Sequence, residues 1–275
     1  MSTSSDSILG LLDEDHLHAL TEAVVDRRRA LVQAGRLGAK ALTASVPLAL
    51  ASVARPVFGQ AMPPTVTEVL NFALVLEYLE AEYYRLLNAS GVPLSPRRAA
   101  FEAIAAHEDA HVAFLRSVLG DDAVASPAFD FTAQGRFDPF NPGNVLADPT
   151  HLVLAQVFED TGVRAYKGQV ANLIGTDVLG AALQIHSVEA RHAAYVRGAR
   201  GDTPWVVGNT NDTQVNDFDA AYSGEENVRH EAEAFRLALE VTSEADVPRD
   251  AATAAFDEPL TMAQVQTIIA PFIVG

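Results

Sequence analysis

Two Glu-x-x-His steps stand 81 residues apart in this chain: Glu108-Asp109-Ala110-His111 and Glu189-Ala190-Arg191-His192. Two single glutamates stand 82 residues apart, Glu77 after Ala73-Leu74-Val75-Leu76 and Glu159 after Ala155-Gln156-Val157-Phe158. Each has a tyrosine seven residues later, Tyr84 and Tyr166. Each Glu-x-x-His stretch runs on to a Gly-Asp pair, Gly120-Asp121 and Gly201-Asp202. The chain therefore contains an internal repeat of the form Glu…Tyr, then Glu-x-x-His, then Gly-Asp, with one loop residue accounting for the change of offset. A lone Glu-x-x-His on a helix is usually a solvated pair. Two of them in register with two Glu–Tyr segments point to a shared site.

Helix geometry explains the spacings. At about 100° per residue, a Glu and a His three apart lie about 60° apart around a helix and one turn along it, so both reach one ion. Seven residues return to within about 20° of the same direction, which puts each tyrosine two turns from its glutamate on the same face. There it can donate a hydrogen bond to a carboxylate and orient it, or close the floor of the site. The ligand candidates sit among Val, Leu and Phe, where an unpaired carboxylate costs several kcal/mol. Four carboxylates and two imidazoles converging in such a core need cations, and two divalent ions balance the four charges. Glu108 and Glu189 bridging the ions would set them about 3.5–4 Å apart, as in two-metal sites generally. Glu80, one turn after Glu77, competes as the first-helix ligand, but the repeat aligns Glu77 with Glu159. Oxygen and nitrogen donors accept iron and manganese alike.

The punctuation is helical. Thr65-Val66-Thr67-Glu68 reads as a capping box that starts a helix running to about Asn88. Ser95-Pro96 reads as an N-cap with proline at the first helical position, opening a second helix that stops at Gly120. Asp148-Pro149 repeats that start for a third, ending near Gly175, and Thr176-Asp177 opens a fourth, ending near Gly201. Between the second and third lie about 28 residues containing Phe129, Phe131, Phe137 and Phe140. One long crossover joining two helical hairpins gives an all-α four-helix bundle over residues 62–201. Residues 202–275 read as a helical extension packing on the bundle. In it Ser223-Gly224-Glu225-Glu226 caps a helix to about Val241, and Thr261-Met262-Ala263-Gln264 caps a short one before Pro271. No strand signal outweighs this reading.

Other polar residues have plainer readings. Asp109 and Asp160 point about 100° away from the ligands they follow, as surface groups or groups supporting the ligands. His107, one turn before His111, is placed at the mouth of the site or, more plainly, as a partly exposed helix histidine. His186 and His230 read as partly exposed. Arg191 faces outward or pairs with an acid. Trp205 and the crossover phenylalanines read as packing residues over the bundle.

Composition narrows the function further. The chain has 275 residues, no cysteine and a formal net charge of −17. Thiolate metal sites, iron–sulfur clusters and cysteine nucleophiles are excluded. Residues 1–61 hold six acidic and six basic side chains, so the whole acidic excess lies downstream. Such a surface repels phosphate backbones, which argues against nucleic acid as a partner. Residues 1–61 themselves run Arg27-Arg28-Arg29, a mild apolar stretch Ala41 to Ala54, then Gly59-Gln60-Ala61. That order is similar to a twin-arginine export signal, departing from it at Arg27, and predicts a periplasmic or cell-envelope location. The competing reading is an ordinary amphipathic helix through Ile8, Leu12, Leu20 and Val24 in a cytoplasmic protein. The apolar stretch is short of the roughly 20 residues of a span, so membrane contact follows only if the segment stays uncleaved.

The constellation resembles the ferritin-like di-iron and di-manganese carboxylate proteins, which use one Glu from each of two helices and Glu-x-x-His from each of the other two. Leu70-Asn71-Phe72-Ala73-Leu74-Val75-Leu76-Glu77-Tyr78-Leu79-Glu80-Ala81-Glu82-Tyr83-Tyr84 and Ala255-Phe256-Asp257-Glu258-Pro259-Leu260-Thr261 are similar to bacterial ferritin-like proteins related to desiccation-related proteins. The resemblance implies six metal ligands, Glu77, Glu108, His111, Glu159, Glu189 and His192, and every position of the pattern is filled. It implies a pair of Fe or Mn ions used in iron oxidation or in handling O2 or peroxide under stress, hence a ferroxidase-like or manganese-catalase-like oxidoreductase. The alternative is a non-catalytic structural or interaction subunit that keeps the fold. Either reading is compatible with a homo-oligomer or larger assembly. Iron storage needs a hollow shell that the residues after Gly201 would obstruct.

Overall fold

The computed structural model describes residues 64–143, 150–209, 213, 215, 218–232, 237–240 and 248–274. The export-type segment and the Asp148-Pro149 helix start lie outside these residues. Four long helices form the bundle: α1 (Pro64–Ala89), α2 (Arg98–Leu119), α3 (Thr150–Leu173) and α4 (Leu179–Arg200). α1 packs on α2, α3 packs on α4, and α1 meets α3. These are two hairpins set side by side. Among the described residues no helix is long and apolar enough to cross a membrane.

Two apolar clusters sandwich a polar layer. On α1, Val66, Val69, Leu70 and Leu74 belong to one cluster and Tyr83, Tyr84 and Leu87 to the other. Glu77 and Glu80 lie between. On α2, Phe101 and Ile104 belong to the second cluster and Phe114 and Leu115 to the first, with Glu108 and His111 between. The helices thus bury carboxylates at mid-height, which apolar packing at both ends must sustain.

Several helix ends differ from the sequence reading. α1 already includes Pro64 and Thr65, so Thr65 is a first-turn residue and not the cap. The Ser95–Pro96 bond is cis. Arg97 N–H bonds Leu94 O at 2.6 Å in a turn, and α2 starts only at Arg98. The Thr176 hydroxyl donates to Leu173 O at 2.7 Å, closing α3 instead of capping α4, which starts at Leu179. Gly201, at φ 94°, ends α4 in the left-handed conformation that glycine adopts without strain.

The crossover and the C-terminal segment close over α1 and α3. Tyr83 packs edge-on against Phe131 at 5.1 Å and Phe158 at 5.2 Å, and Phe158 against Phe272 at 5.0 Å. Asp130 N–H bonds Phe272 O, and Val274 N–H bonds Ala128 O. The crossover phenylalanines therefore pack as expected. Trp205 does not: 53% of it is exposed, although it lines a hollow over Val163 and Ala193.

The extension holds α5 (Asp219–Tyr222), the antiparallel pair β1 (Arg229–Ala232) and β2 (Leu237–Glu240), α6 (Arg249–Thr253) and α7 (Met262–Ile269). Among the described residues of the helix expected from Ser223 to Val241, a turn and this strand pair stand in its place. Gly224 takes φ 96°. Glu226, the glutamate of the expected capping box, accepts a hydrogen bond from Gly224 N–H at 3.1 Å in the turn, while Glu225 turns inward, 2.7 Å from Arg164, and accepts a hydrogen bond from Glu258 N–H. The Thr261–Gln264 capping box forms as read and starts α7.

Candidate metal centre

All six sequence-predicted ligands meet in the polar layer. Glu77, Glu108, Glu159 and Glu189 have no exposed surface, and His111 and His192 are buried. They form two quartets, Glu77–Glu108–His111–Glu189 and Glu108–Glu159–Glu189–His192, each with its donor atoms within 4.8 Å of one another. Both quartets contain Glu108 and Glu189, the pair expected to bridge. His111 Nδ1 lies 3.1 Å from Glu77, 3.0 Å from Glu108 and 3.0 Å from Glu189. His192 Nδ1 lies 2.8 Å from Glu108, 3.4 Å from Glu159 and 3.7 Å from Glu189.

The tyrosines reach across the bundle. Tyr84 donates to Glu159 Oε1 at 2.6 Å, and Tyr166 donates to Glu77 Oε1. Each repeat's tyrosine therefore holds the other repeat's glutamate. Sequence spacing places a tyrosine near a carboxylate but does not say which one.

Electrostatics describe a site built for positive charge. Burial, offset in part by His111, pushes the Glu77 carboxyl up to about 8. Burial also raises Glu159 and Glu80 well above the ordinary carboxylate range. For His111, burial disfavours the charged form, but Glu77 and the other carboxylates reverse that and raise it. His192 is raised in the same way, chiefly by Glu159 against its burial. Burial pushes Glu189 up, yet its contacts to both histidines bring it down overall. These shifts favour protons in the layer, and a cation entering it would compete with them.

The donors fit a metal. Glu108 Oε1, Glu159 Oε2, both Glu189 oxygens and His192 Nδ1 are buried without a hydrogen-bond partner. Glu108 Oε1 and His192 Nδ1 lie 2.8 Å apart yet are not aligned as a hydrogen bond. Buried polar atoms without partners are costly, and cations among them would satisfy all five. A set of carboxylates and imidazoles without thiolate suits hard and borderline divalent ions.

Surrounding groups refine the reading. His107 is exposed, as expected of a surface histidine. It also stacks on His192 at 5.2 Å and sets its Nδ1 2.9 Å from His192 Nε2, so it is a solvent-side neighbour of a ligand. Asp109 and Arg191 are exposed. Asp160 is not a surface group: it is buried and paired with Arg197 at 2.7 Å, because α4 brings the arginine against α3 one turn beyond His192. Glu80, set aside in favour of Glu77, is buried as well, with 2% of it exposed.

No curated protein and no solved structure matches the chain. The sequence pattern of the ferritin-like domain matches residues 65–202, from the first turn of α1 to the residue after Gly201, which is half of the chain and encloses all six buried donors. On that match, the fold and the buried Glu and His clusters, this chain belongs to the ferritin-like domain family.

Proposed function

We propose that the chain binds two iron or manganese ions and uses them to oxidise ferrous iron or to consume O2 or peroxide. The observation that carries this reading is the pair of buried quartets sharing Glu108 and Glu189. The bound metals would supply the electrons and open coordination positions, while the protein supplies geometry. Glu77 and Glu159 would hold one ion each, steered by Tyr166 and Tyr84. Glu108 and Glu189 would hold both ions together, and His111 and His192 would complete the two sets. The apolar layers above and below would keep bulk water from the centre.

An apolar cavity of ≈ 20 Å³, lined by Val69, Phe114, Ile185 and Tyr166 among others, lies in the first apolar cluster. Tyr166 joins it to Glu77. That space holds about one water-sized molecule.

Elemental analysis of protein purified from its native host tests the reading. Two ions per chain are expected, with iron oxidation or peroxide loss on addition of substrate. Glu108→Ala with Glu189→Ala should abolish metal binding. Full activity in that metal-free double variant would refute the proposal. A metal-dependent rise in melting temperature without turnover would instead favour the structural subunit.

A further inference from the structure

The two histidines of the centre are held differently on their outer sides. Each turns Nδ1 to the carboxylates: His192 Nδ1 lies 2.8 Å from Glu108, and His111 Nδ1 lies 3.0 Å from the same residue. Nε2 of each ring is left for a partner outside the carboxylate layer. His192 Nε2 has one. His107 Nδ1 stands 2.9 Å from it, a hydrogen bond that joins α2 to α4. The ring planes lie within 10° of each other with their centres 5.2 Å apart, so the nitrogens meet rim to rim. The hydrogen bonds of His111 all run through Nδ1, and its Nε2 has no partner among the described residues.

The repeat carries the same asymmetry. At the offset of 81 that pairs Glu108 with Glu189 and His111 with His192, His107 pairs with Val188. Valine has neither donor nor acceptor, so α4 offers His111 no counterpart of the bond that α2 offers His192. That bond has a chemical consequence. A neutral imidazole has one N–H and one lone pair, and the hydrogen bond at one nitrogen decides which form the other takes. A cation on His192 Nδ1 needs the lone pair there and the hydrogen on Nε2. His107 Nδ1, as acceptor, favours that form. His192 Nδ1 is buried without a hydrogen-bond partner, so the bond to His107 is what fixes this ring among the described residues.

We propose, resting on the two-metal reading above, that His107 is a positioning residue for one of the two metal positions, the one that His192 completes. It accepts the Nε2–H of His192, sets the rotation of that ring and keeps the Nδ1 lone pair turned to Glu108, Glu159 and Glu189. The two positions are then unequal: a protein group presets the His192 ligand, and none presets His111. Because His107 is exposed, replacing it disturbs little packing.

Titration of the metal-free full chain with Mn²⁺, following free Mn²⁺ by its paramagnetic resonance signal, tests this. His107→Phe keeps a flat ring but has no acceptor. It should weaken one of the two bound ions by about tenfold, the lower end of the loss when a group orienting a ligand is removed, and leave the other within about threefold. His107→Ala removes ring and acceptor together and should show the same loss, which covers the case in which His107→Phe fails to fold. His107→Asn sets an amide oxygen near the place of Nδ1 and should restore binding to within about threefold of wild type. A residue that only packs would give the opposite order, with the phenylalanine variant closest to wild type. That order, or titrations of all three variants superimposable on wild type, would overturn the proposal. Equal loss of both ions in His107→Phe would overturn the assignment to one position. Wild-type protein that binds neither Mn²⁺ nor ferrous iron would instead overturn the two-metal reading itself.

Discussion

Tyr84 of the first hairpin donates its hydroxyl to Glu159 of the second at 2.6 Å. Tyr166 of the second returns the same bond to Glu77 of the first. The exchange ties α1 to α3 through the polar layer and fixes which oxygen of each glutamate is left for a cation. Tyr84→Phe should therefore loosen Glu159 and weaken metal binding about 10–100-fold, the usual loss when a group orienting a ligand is removed. Tyr166→Phe should act through Glu77 in the same way. Calorimetric titration of both variants with Mn²⁺ checks this, and unchanged affinity in both would show that the tyrosines only pack.

Metal-free protein should lose stability as pH rises from 4.5 to about 8. In the unfolded chain Glu77 gives up its proton near 4.5, whereas burial in the fold keeps it bound up to about 8. Across that window the folded state binds more protons, so unfolding becomes easier with pH. Glu80 and Glu159 are raised and act in the same sense. His111 and His192 do too, beginning at their ordinary value of 6.5. Glu189 runs the other way: it is lowered, so its contribution is lost only as pH falls below 4.5. Melting curves of chelator-treated protein at about pH 5, 6.5 and 8 read this directly. Added Mn²⁺ should raise the melting temperature most at pH 8, where it displaces the fewest protons. A flat profile would contradict the buried, proton-holding layer.

Arg197 and Asp160 form a buried pair beside the centre. Arg197 donates to Asp160 through Nε at 3.0 Å and Nη2 at 2.7 Å, and Tyr222 donates to the same carboxylate at 2.9 Å. The pair pins α4 to α3 next to Glu159 and one turn beyond His192. Arg197→Met leaves a buried carboxylate without its cation and should cost about 3–5 kcal/mol, whereas Arg197→Met with Asp160→Leu should recover most of that loss. Urea denaturation of the two variants separates the cases.

The bundle and its six donors were legible because each rests on period and repeat, which a sequence carries directly. Glu77, Glu108, His111, Glu159, Glu189 and His192 all needed only helical spacing and the matching of two halves. What spacing could not supply was the partner across the bundle. Nothing local to Asp160 announces Arg197, 37 residues away. The tyrosines' exchange between halves is a matter of how the hairpins dock. The expected helix after Ser223 failed for the same reason: Glu225, inside its first turn, is drawn into a buried pair with Arg164 from α3, a partner that local spacing does not announce.

Gly168 tests how the C-terminal segment is held. A Cβ on Gly168 would stand 2.0 Å from Leu260 O, and because that atom is backbone it cannot swing aside. The close approach lets Leu260 N–H bond Arg164 O at 3.1 Å and lets Lys167 bond Asp257 O. It also seats α7, whose Val265, Ile268 and Ile269 are buried. In an unencumbered helix, alanine in place of glycine stabilises by about 1 kcal/mol. Here the added methyl must push residues 257–260 off α3, so Gly168→Ala should destabilise by about 1–3 kcal/mol. The sign alone decides between a free helix face and a docked segment. Urea denaturation gives that sign. Hydrogen exchange should show faster opening at Leu260 and along α7 while the amides of α1 and α2 keep their protection. A variant more stable than wild type would mean that the C-terminal segment does not rest on α3 in solution.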